Sequence, residues 1–129
     1  VCGGEVPDGD GYYLAPAVVA DVDNSMRIAR EEIFGPVASV IPFDTEEEAL
    51  QLANGVRYGL AANLWTQDLD RAHRVAKKLE SGLVWINTWL MRDLRVPFGG
   101  LKDSGVGREG GRWSLEFFSE AKTITVKLD

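Results

Sequence analysis

The sequence predicts an α/β fold built on parallel strand pairing. Segments of helical period alternate with β-prone runs along the chain, the order expected of βαβ units. Two of the helical segments open on side chains suited to cap them, Thr45 and Asp68, which marks where each helix starts. The run Leu83-Val84-Trp85-Ile86 is apolar without alternation, as in a strand covered on both faces of a sheet.

Taken in order, residues 11–22 are β-prone, and Pro16 limits where a central strand can lie. Asp23 or Asn24 is placed to cap a short helix through Met26, Ile28 and Ala29. Residues 31–36 read as a turn, and residues 37–43 as a strand ending near Pro42. Thr45-Glu46-Glu47-Glu48 fits a capping box, in which the Thr45 hydroxyl accepts the N–H three residues on and Glu48 reaches back. Ala49, Leu50, Leu52 and Ala53 follow, and Asn54-Gly55 stops the helix. Residues 60–66 read as a strand. Asp68 then caps a helix with Leu69, Ala72, Ala76 and Leu79 on one face, ended by Gly82. Residues 99–111 hold six glycines and no apolar period, which predicts an extended loop. Residues 112–120 read as helix. Residues 123–128 alternate strictly, with three apolar side chains on one face.

Composition narrows the class. The chain has 129 residues, 45% apolar and 26% charged, ordinary globular values that exclude a disordered tail. Surface scaling for 14.2 kDa predicts about 6,800 Å² exposed, with about two thirds of the unfolded surface buried. No apolar run approaches the roughly 20 residues of a membrane span. One cysteine, Cys2, excludes an intrachain disulfide framework, and one histidine, His73, argues against a zinc cluster. No metal site is expected. The net charge of −6 argues against nucleic-acid binding. The chain begins at Val1 with no basic segment leading into an apolar stretch. That reads as a chain entered partway, without a signal peptide, and with the free thiol it points to the cytoplasm.

Charge is unevenly spread. Residues 1–84 carry seven basic and fourteen acidic side chains, a net of −7, whereas residues 85–112 carry five and three, a net of +2. A locally cationic segment in an acidic chain can steer or hold an anion; scatter of charge over a short segment accounts for it equally well.

Gly105-Val106-Gly107-Arg108-Glu109-Gly110 matches G-x-G-x-x-G. A dinucleotide fingerprint needs a strand feeding the turn and an acidic residue about 20 positions on. Neither is present, so the glycines read as a loop approaching another backbone closely. Cys2 lies in the apolar run beside Gly3-Gly4 and reads as a packed residue, not as an activated thiolate. His73 falls one position from the apolar face of its helix and reads as solvated or partly packed. Glu31-Glu32-Ile33-Phe34-Gly35-Pro36 offers two carboxylates and an aromatic face at a turn, groups that suit ribose hydroxyls and a flat ring. By chemistry alone, an ordinary helix end is the stronger reading.

The order of segments adds a resemblance. EEIFGP (31–36), NGVRYGLAA (54–62), GLVWIN (82–87), PFGGLK (97–102), SGVGRE (104–109) and KTITVK (122–127) occur in that order. The chain is similar over essentially all its length to the C-terminal quarter of NAD(P)-dependent aldehyde dehydrogenases. The loop NTWLMRDLRVPFGG (87–100) resembles dehydrogenases of 2-hydroxymuconic and 2-aminomuconic semialdehydes, whose substrates are unsaturated aldehydes bearing a carboxylate.

What the resemblance implies is specific. The fold would be the C-terminal half of the catalytic domain over residues 1–121, an α/β layer with a parallel sheet and helices, plus an oligomerisation strand over 122–129. The Rossmann cofactor domain, the nucleophilic cysteine and the general-base glutamate belong to earlier sequence of the family. No catalytic residue is therefore expected in this chain, and the chain alone would be inactive. In the whole enzyme a thiolate attacks the aldehyde, hydride passes to NAD or NADP, and water releases the acid. Glu32 would bind the nicotinamide-ribose hydroxyls, Phe34 would pack near the nicotinamide, and Leu60 would sit near the cofactor. Phe98 would line the aldehyde tunnel, and Arg92 would meet the far end of the substrate. Partners implied are a small aldehyde and further copies of the chain, a homo-oligomer formed through 122–129. A second reading is a non-catalytic association module built from the same half-domain.

Overall fold

Parallel pairing across a helix recurs twice in the computed structural model, which describes residues 1–129. The chain divides into two compact units, Val1–Arg57 and Tyr58–Asp129.

In the first unit, β1 (Cys2–Gly3) pairs antiparallel with β2 (Ala17–Val19), and β2 pairs parallel with β3 (Val37–Ser39). The β2–β3 register is Ala17 to Val37, Val18 to Ala38 and Val19 to Ser39. The strand expected over 37–43 is thus shorter. Its partner leaves the ladder at Asp21, where φ is 56°, and two bonds extend the pairing, from the Val40 N–H to the Val19 carbonyl at 2.9 Å and from the Val22 N–H to the Val40 carbonyl at 3.4 Å. Between β2 and β3 lies α1 (Arg27–Arg30), whose N-cap is Met26, without a side-chain cap. The two expected caps are otherwise engaged. The Asp23 carboxylate accepts from the Ser25 N–H at 2.7 Å and from its hydroxyl at 2.5 Å, while the Asn24 amide donates to the Leu52 carbonyl at 2.8 Å.

The helix α2 (Glu46–Asn54) opens as its sequence demands. The Glu48 N–H donates to the Thr45 hydroxyl at 3.1 Å. The Glu48 carboxylate reaches one residue further back than a standard box, accepting from the Asp44 N–H at 2.8 Å. Gly55 closes the helix. Ala17, Val22 and Leu50 are the buried apolar residues of this unit. Cys2 is not packed as expected: it is exposed on the short edge strand β1, because antiparallel pairing with Val18 uses its backbone and leaves its thiol in solvent.

The second unit holds β4 (Tyr58–Gly59), β5 (Ala61–Leu64), α3 (Leu69–Lys78), β6 (Leu83–Ile86), β7 (Leu101–Lys102) and α4 (Gly111–Phe117). Strands β5 and β6 run parallel from Ala61 opposite Leu83 to Leu64 opposite Ile86, with α3 as the crossover. The Asp68 side chain accepts from the Arg71 N–H at 2.9 Å and caps α3 as expected. Ala72 and Val75 are buried, whereas Leu69 is exposed, so the inward face is centred nearer Val75 than the spacing suggested. His73 is exposed. The helix ends at Lys78, before Gly82.

Gly82 has another task. A Cβ there would collide with the Gly99 carbonyl oxygen and lie 3.3 Å from the Gly100 Cα, so only glycine lets the start of β6 meet the 99–100 backbone. Residues 99–111 are correspondingly more ordered than a loop. β7 pairs antiparallel with β4, and Phe98 and Glu109 exchange backbone bonds of 2.7 and 2.8 Å. No parallel βαβ unit surrounds the G-x-G-x-x-G match. Its glycines are close-approach positions: Gly107 (φ 75°) faces the Phe117 ring, and Gly110 (φ 98°) faces the Val96 carbonyl.

Past Phe117 the expected helix to residue 120 is not continued, and residues 119–129 form no strand within the chain. Ile124, Val126 and Leu128 are exposed. Alternation supplies a face, but a strand also requires a ladder partner. The chain exposes 10486 Å², well above the roughly 6,800 Å² that its mass predicts. No side chain is fully buried.

The hydrogen bond from the Arg71 N–H holds the Asp68 carboxyl below its ordinary value of 3.8, with the cations of Arg71 and Arg74 adding to it. A group acidified by folding stabilises above its unfolded pKa, and that contribution is lost as pH falls through the folded value. Asp68→Ala should therefore lower the thermal midpoint of α3 near neutral pH. The gap to wild type should narrow as pH drops below about 4. Circular dichroism melts of both chains across pH check this; a gap independent of pH would contradict it.

Candidate functional site

In the first unit the turn after α1 separates two adjacent carboxylates. The Arg27 guanidinium donates to Glu31 at 2.7 Å, one helical turn away. This hydrogen bond raises the Arg27 pKa. Glu32 is exposed and accepts no hydrogen bond within the chain. Two residues on, Phe34 takes a left-handed backbone, φ 55°, and the residue is 91% exposed. A β-region or helical φ is the rule for an aromatic residue, so the turn presents this ring at a conformational cost. A free carboxylate two residues from an exposed flat ring can accept from hydroxyl groups, and the ring can lie against another flat system.

In the second unit the site grows from β6. The loop that follows it carries Arg92, and the Phe98–Glu109 bridge closes it. The Arg92 guanidinium lies 4.3 Å from the Phe98 ring centroid and donates to the Glu109 carboxylate at 2.5 Å. Arg92 and Phe98, singled out separately in the sequence, are thus in contact. Leu60 and Phe98 line one cavity of about 320 Å³ together with Arg108, Glu109, Phe117 and Phe118. Trp85, Met91, Arg92 and Phe98 line another of about 230 Å³. Arg108 donates to the Gly100 and Gly107 carbonyls at 2.9 and 2.6 Å, which braces the glycine segment beside Phe98.

Arg95, the other arginine of the loop, is committed elsewhere. It forks onto Asp93 with contacts of 2.9, 3.1 and 2.6 Å and is 88% exposed. Those bonds raise its pKa and lower that of Asp93. Of the two arginines, only Arg92 stacks on Phe98.

Three residues of this arrangement escaped the sequence reading. Glu109 sits within the glycine motif, 17 residues from Arg92, and no local period links the two. Phe117 and Phe118 read as helix residues, and only the fold turns their edge-to-face pair, 4.9 Å between centroids, toward the Leu60 cavity. No group of three or more metal-binding side chains occurs, and no helix is long and apolar enough to cross a membrane.

A βαβ pair, a half-buried strand leading into a cationic loop, and an aromatic wall beside a glycine-braced segment define an α/β chain with concave, aromatic-lined surfaces. The aldehyde dehydrogenase family model matches residues 1–124, and the chain belongs to that family. It is 59% identical to the 2-aminomuconic semialdehyde dehydrogenase of Mus musculus over 91% of this chain and 24% of that protein. It is 51% identical to the 2-hydroxymuconic semialdehyde dehydrogenase of Pseudomonas sp. (strain CF600), over 99% of this chain and 27% of that protein. Among solved structures, an aldehyde dehydrogenase of Mycobacterium tuberculosis complexed with NAD+ superposes with a TM-score of 0.87 at 48% identity, covering 93% of this chain and 25% of that one. The chain spans about a quarter of the length of the curated relatives it matches. These relatives are dehydrogenases by name, which leaves the association-module reading without support.

Proposed function

We propose that this chain is the C-terminal part of an NAD(P)-dependent aldehyde dehydrogenase that oxidises a carboxylate-bearing semialdehyde of the muconic type to its acid. The observation that carries the substrate class is the Arg92 guanidinium held against the Phe98 ring. The names of the relatives at 50–61% identity point the same way. The large exposed surface fits a chain packed against further enzyme, which would supply the nucleophile and general base.

NAD(P), when bound, accepts the hydride released by the aldehyde carbon. Glu32 would accept hydrogen bonds from the nicotinamide-ribose hydroxyls, and a bond to a carboxylate is charge-assisted. Phe34 would limit the drift of the nicotinamide, and Leu60 would contribute apolar contact close to it. Phe98 would wall the aldehyde path and exclude water from it. Arg92 would pair bidentately with the distant carboxylate, giving up its contact with Glu109 to do so. Residues 122–129, whose apolar face is exposed, would complete a ladder on another subunit.

Three outcomes are expected of the whole enzyme. Glu32→Gln should slow the single-turnover hydride step far more than it lowers the melting temperature, because positioning depends on this carboxylate; an unchanged step would reduce Glu32 to a helix-end residue. Removing residues 122–129 should lower the oligomer mass measured by light scattering. Arg92→Ala should cut kcat/KM for a carboxylate-bearing semialdehyde by an amount equivalent to about 2–5 kcal/mol, since the substrate anion is left buried and unpaired. A neutral aldehyde of similar length should be affected much less, and Arg95→Ala should affect neither. Equal losses on the two substrates would remove the anion-binding role.

A further inference from the structure

The loop between β6 and Phe98 contains two left-handed residues that are not glycine, Asn87 at φ 54° and Leu90 at φ 54°. Such backbone persists only where the surroundings hold it. Asn87 is suited to it by residue type and is tied down on both sides of its amide. It accepts from the Thr66 N–H at 2.8 Å and donates to the Thr66 carbonyl at 2.7 Å. Leu90 has neither advantage. The restraint beside it is the indole N–H of Trp85, which donates to the Met91 carbonyl at 2.8 Å.

Trp85 is well placed to act as a fixed post. Its backbone lies inside the parallel ladder opposite Asn63, and its ring meets Trp89 edge-on, centroids 5.4 Å apart at 60°. The carbonyl it holds belongs to the peptide that leads directly into Arg92. Trp85, Met91, Arg92 and Phe98 also line one cavity. Downstream, residues 93–96 are held separately, by bonds from the Arg95 and Val96 N–H groups to Asp93 and from the Gly111 N–H to the Leu94 carbonyl.

We propose that Trp85 is a positioning residue for substrate selectivity: its bond to the Met91 carbonyl sets the backbone from which Arg92 reaches over Phe98. This rests on the reading of Arg92 as the partner of a substrate carboxylate. Trp85 itself pairs with no part of the substrate. Its loss acts through the place of the guanidinium, and so on binding of the anionic end more than on the chemical step.

The test is steady-state kinetics of the whole enzyme with a carboxylate-bearing semialdehyde and a neutral aldehyde of similar length. Trp85→Phe keeps an aromatic ring and deletes the donor. It should raise KM for the acidic substrate by about fivefold to tenfold, as expected for one lost hydrogen bond, and leave kcat and the neutral substrate nearly unchanged. Adding Leu90→Asn should restore most of the KM, because asparagine enters the left-handed region more readily than leucine. Should Trp85→Phe fail to fold, Trp89→Leu, which removes the edge contact and keeps the indole donor, should shift the same KM ratio in the same direction by a smaller factor. A ratio unchanged in the folded variant, with the loss in Arg92→Ala still confined to the acidic substrate, would overturn the role of Trp85 and leave that of Arg92 standing. Equal losses on the two substrates in Arg92→Ala would overturn both.

Discussion

Between Gly82 and the Gly99–Gly100 backbone there is no space for a side chain, and the second unit is organised around that contact. A methyl group on Gly82 would displace the Gly99 carbonyl. The contact sets the first residue of β6 against the segment that carries Phe98, and the Gly82 N–H also donates to the Gly59 carbonyl at 3.0 Å. Gly59 is closed to a side chain as well, since its Cβ would strike the Glu80 carbonyl. Two ladders, β4–β7 and β5–β6, are thereby brought side by side by close backbone approach. The loop from β6 to Phe98 is left with both ends fixed, and its interior residues adapt to that span.

Electrostatics then sorts the loop. Two arginines three residues apart find different partners. Arg95 folds back onto Asp93, a local pair in solvent that contributes little to stability because water screens it. Arg92 turns toward Glu109 and the Phe98 face. An arginine over an aromatic ring at an exposed site gains only about 0.5–1 kcal/mol, and its ion pair with Glu109 is half-exposed. The guanidinium is consequently well oriented but weakly held, a combination suited to exchanging one carboxylate partner for another. In the first unit the Glu31–Arg27 pair plays a comparable part. By occupying one of two neighbouring carboxylates, it leaves Glu32 as the one without a partner in the chain.

What could be read from the residue string alone were features set within a few positions of one another. The caps at Thr45 and Asp68, the stop at Gly55 and the strand Leu83–Ile86 depend on local hydrogen bonds and on side-chain period, and each is present; parallel pairing, implied by the alternation of helical and β-prone segments, is present too. The family motifs belong to the same category, since they are contiguous. Residues Glu32, Phe34, Leu60, Arg92 and Phe98 were accessible by that route as separate positions.

The tertiary structure decided which of those positions meet and what else joins them. The pairing of Arg92 with Glu109, the bond from Trp85 to the Met91 carbonyl and the closing of the Leu60 cavity by Phe117 and Phe118 link positions that share no helix or strand period. Asp23 and Asn24 illustrate the same limit. Both are good caps by type, yet Ser25 and the end of α2 claim them first. The terminal segment shows it most plainly: residues 123–128 alternate as a strand must, but a strand is a property of two backbones, and alternation describes only one.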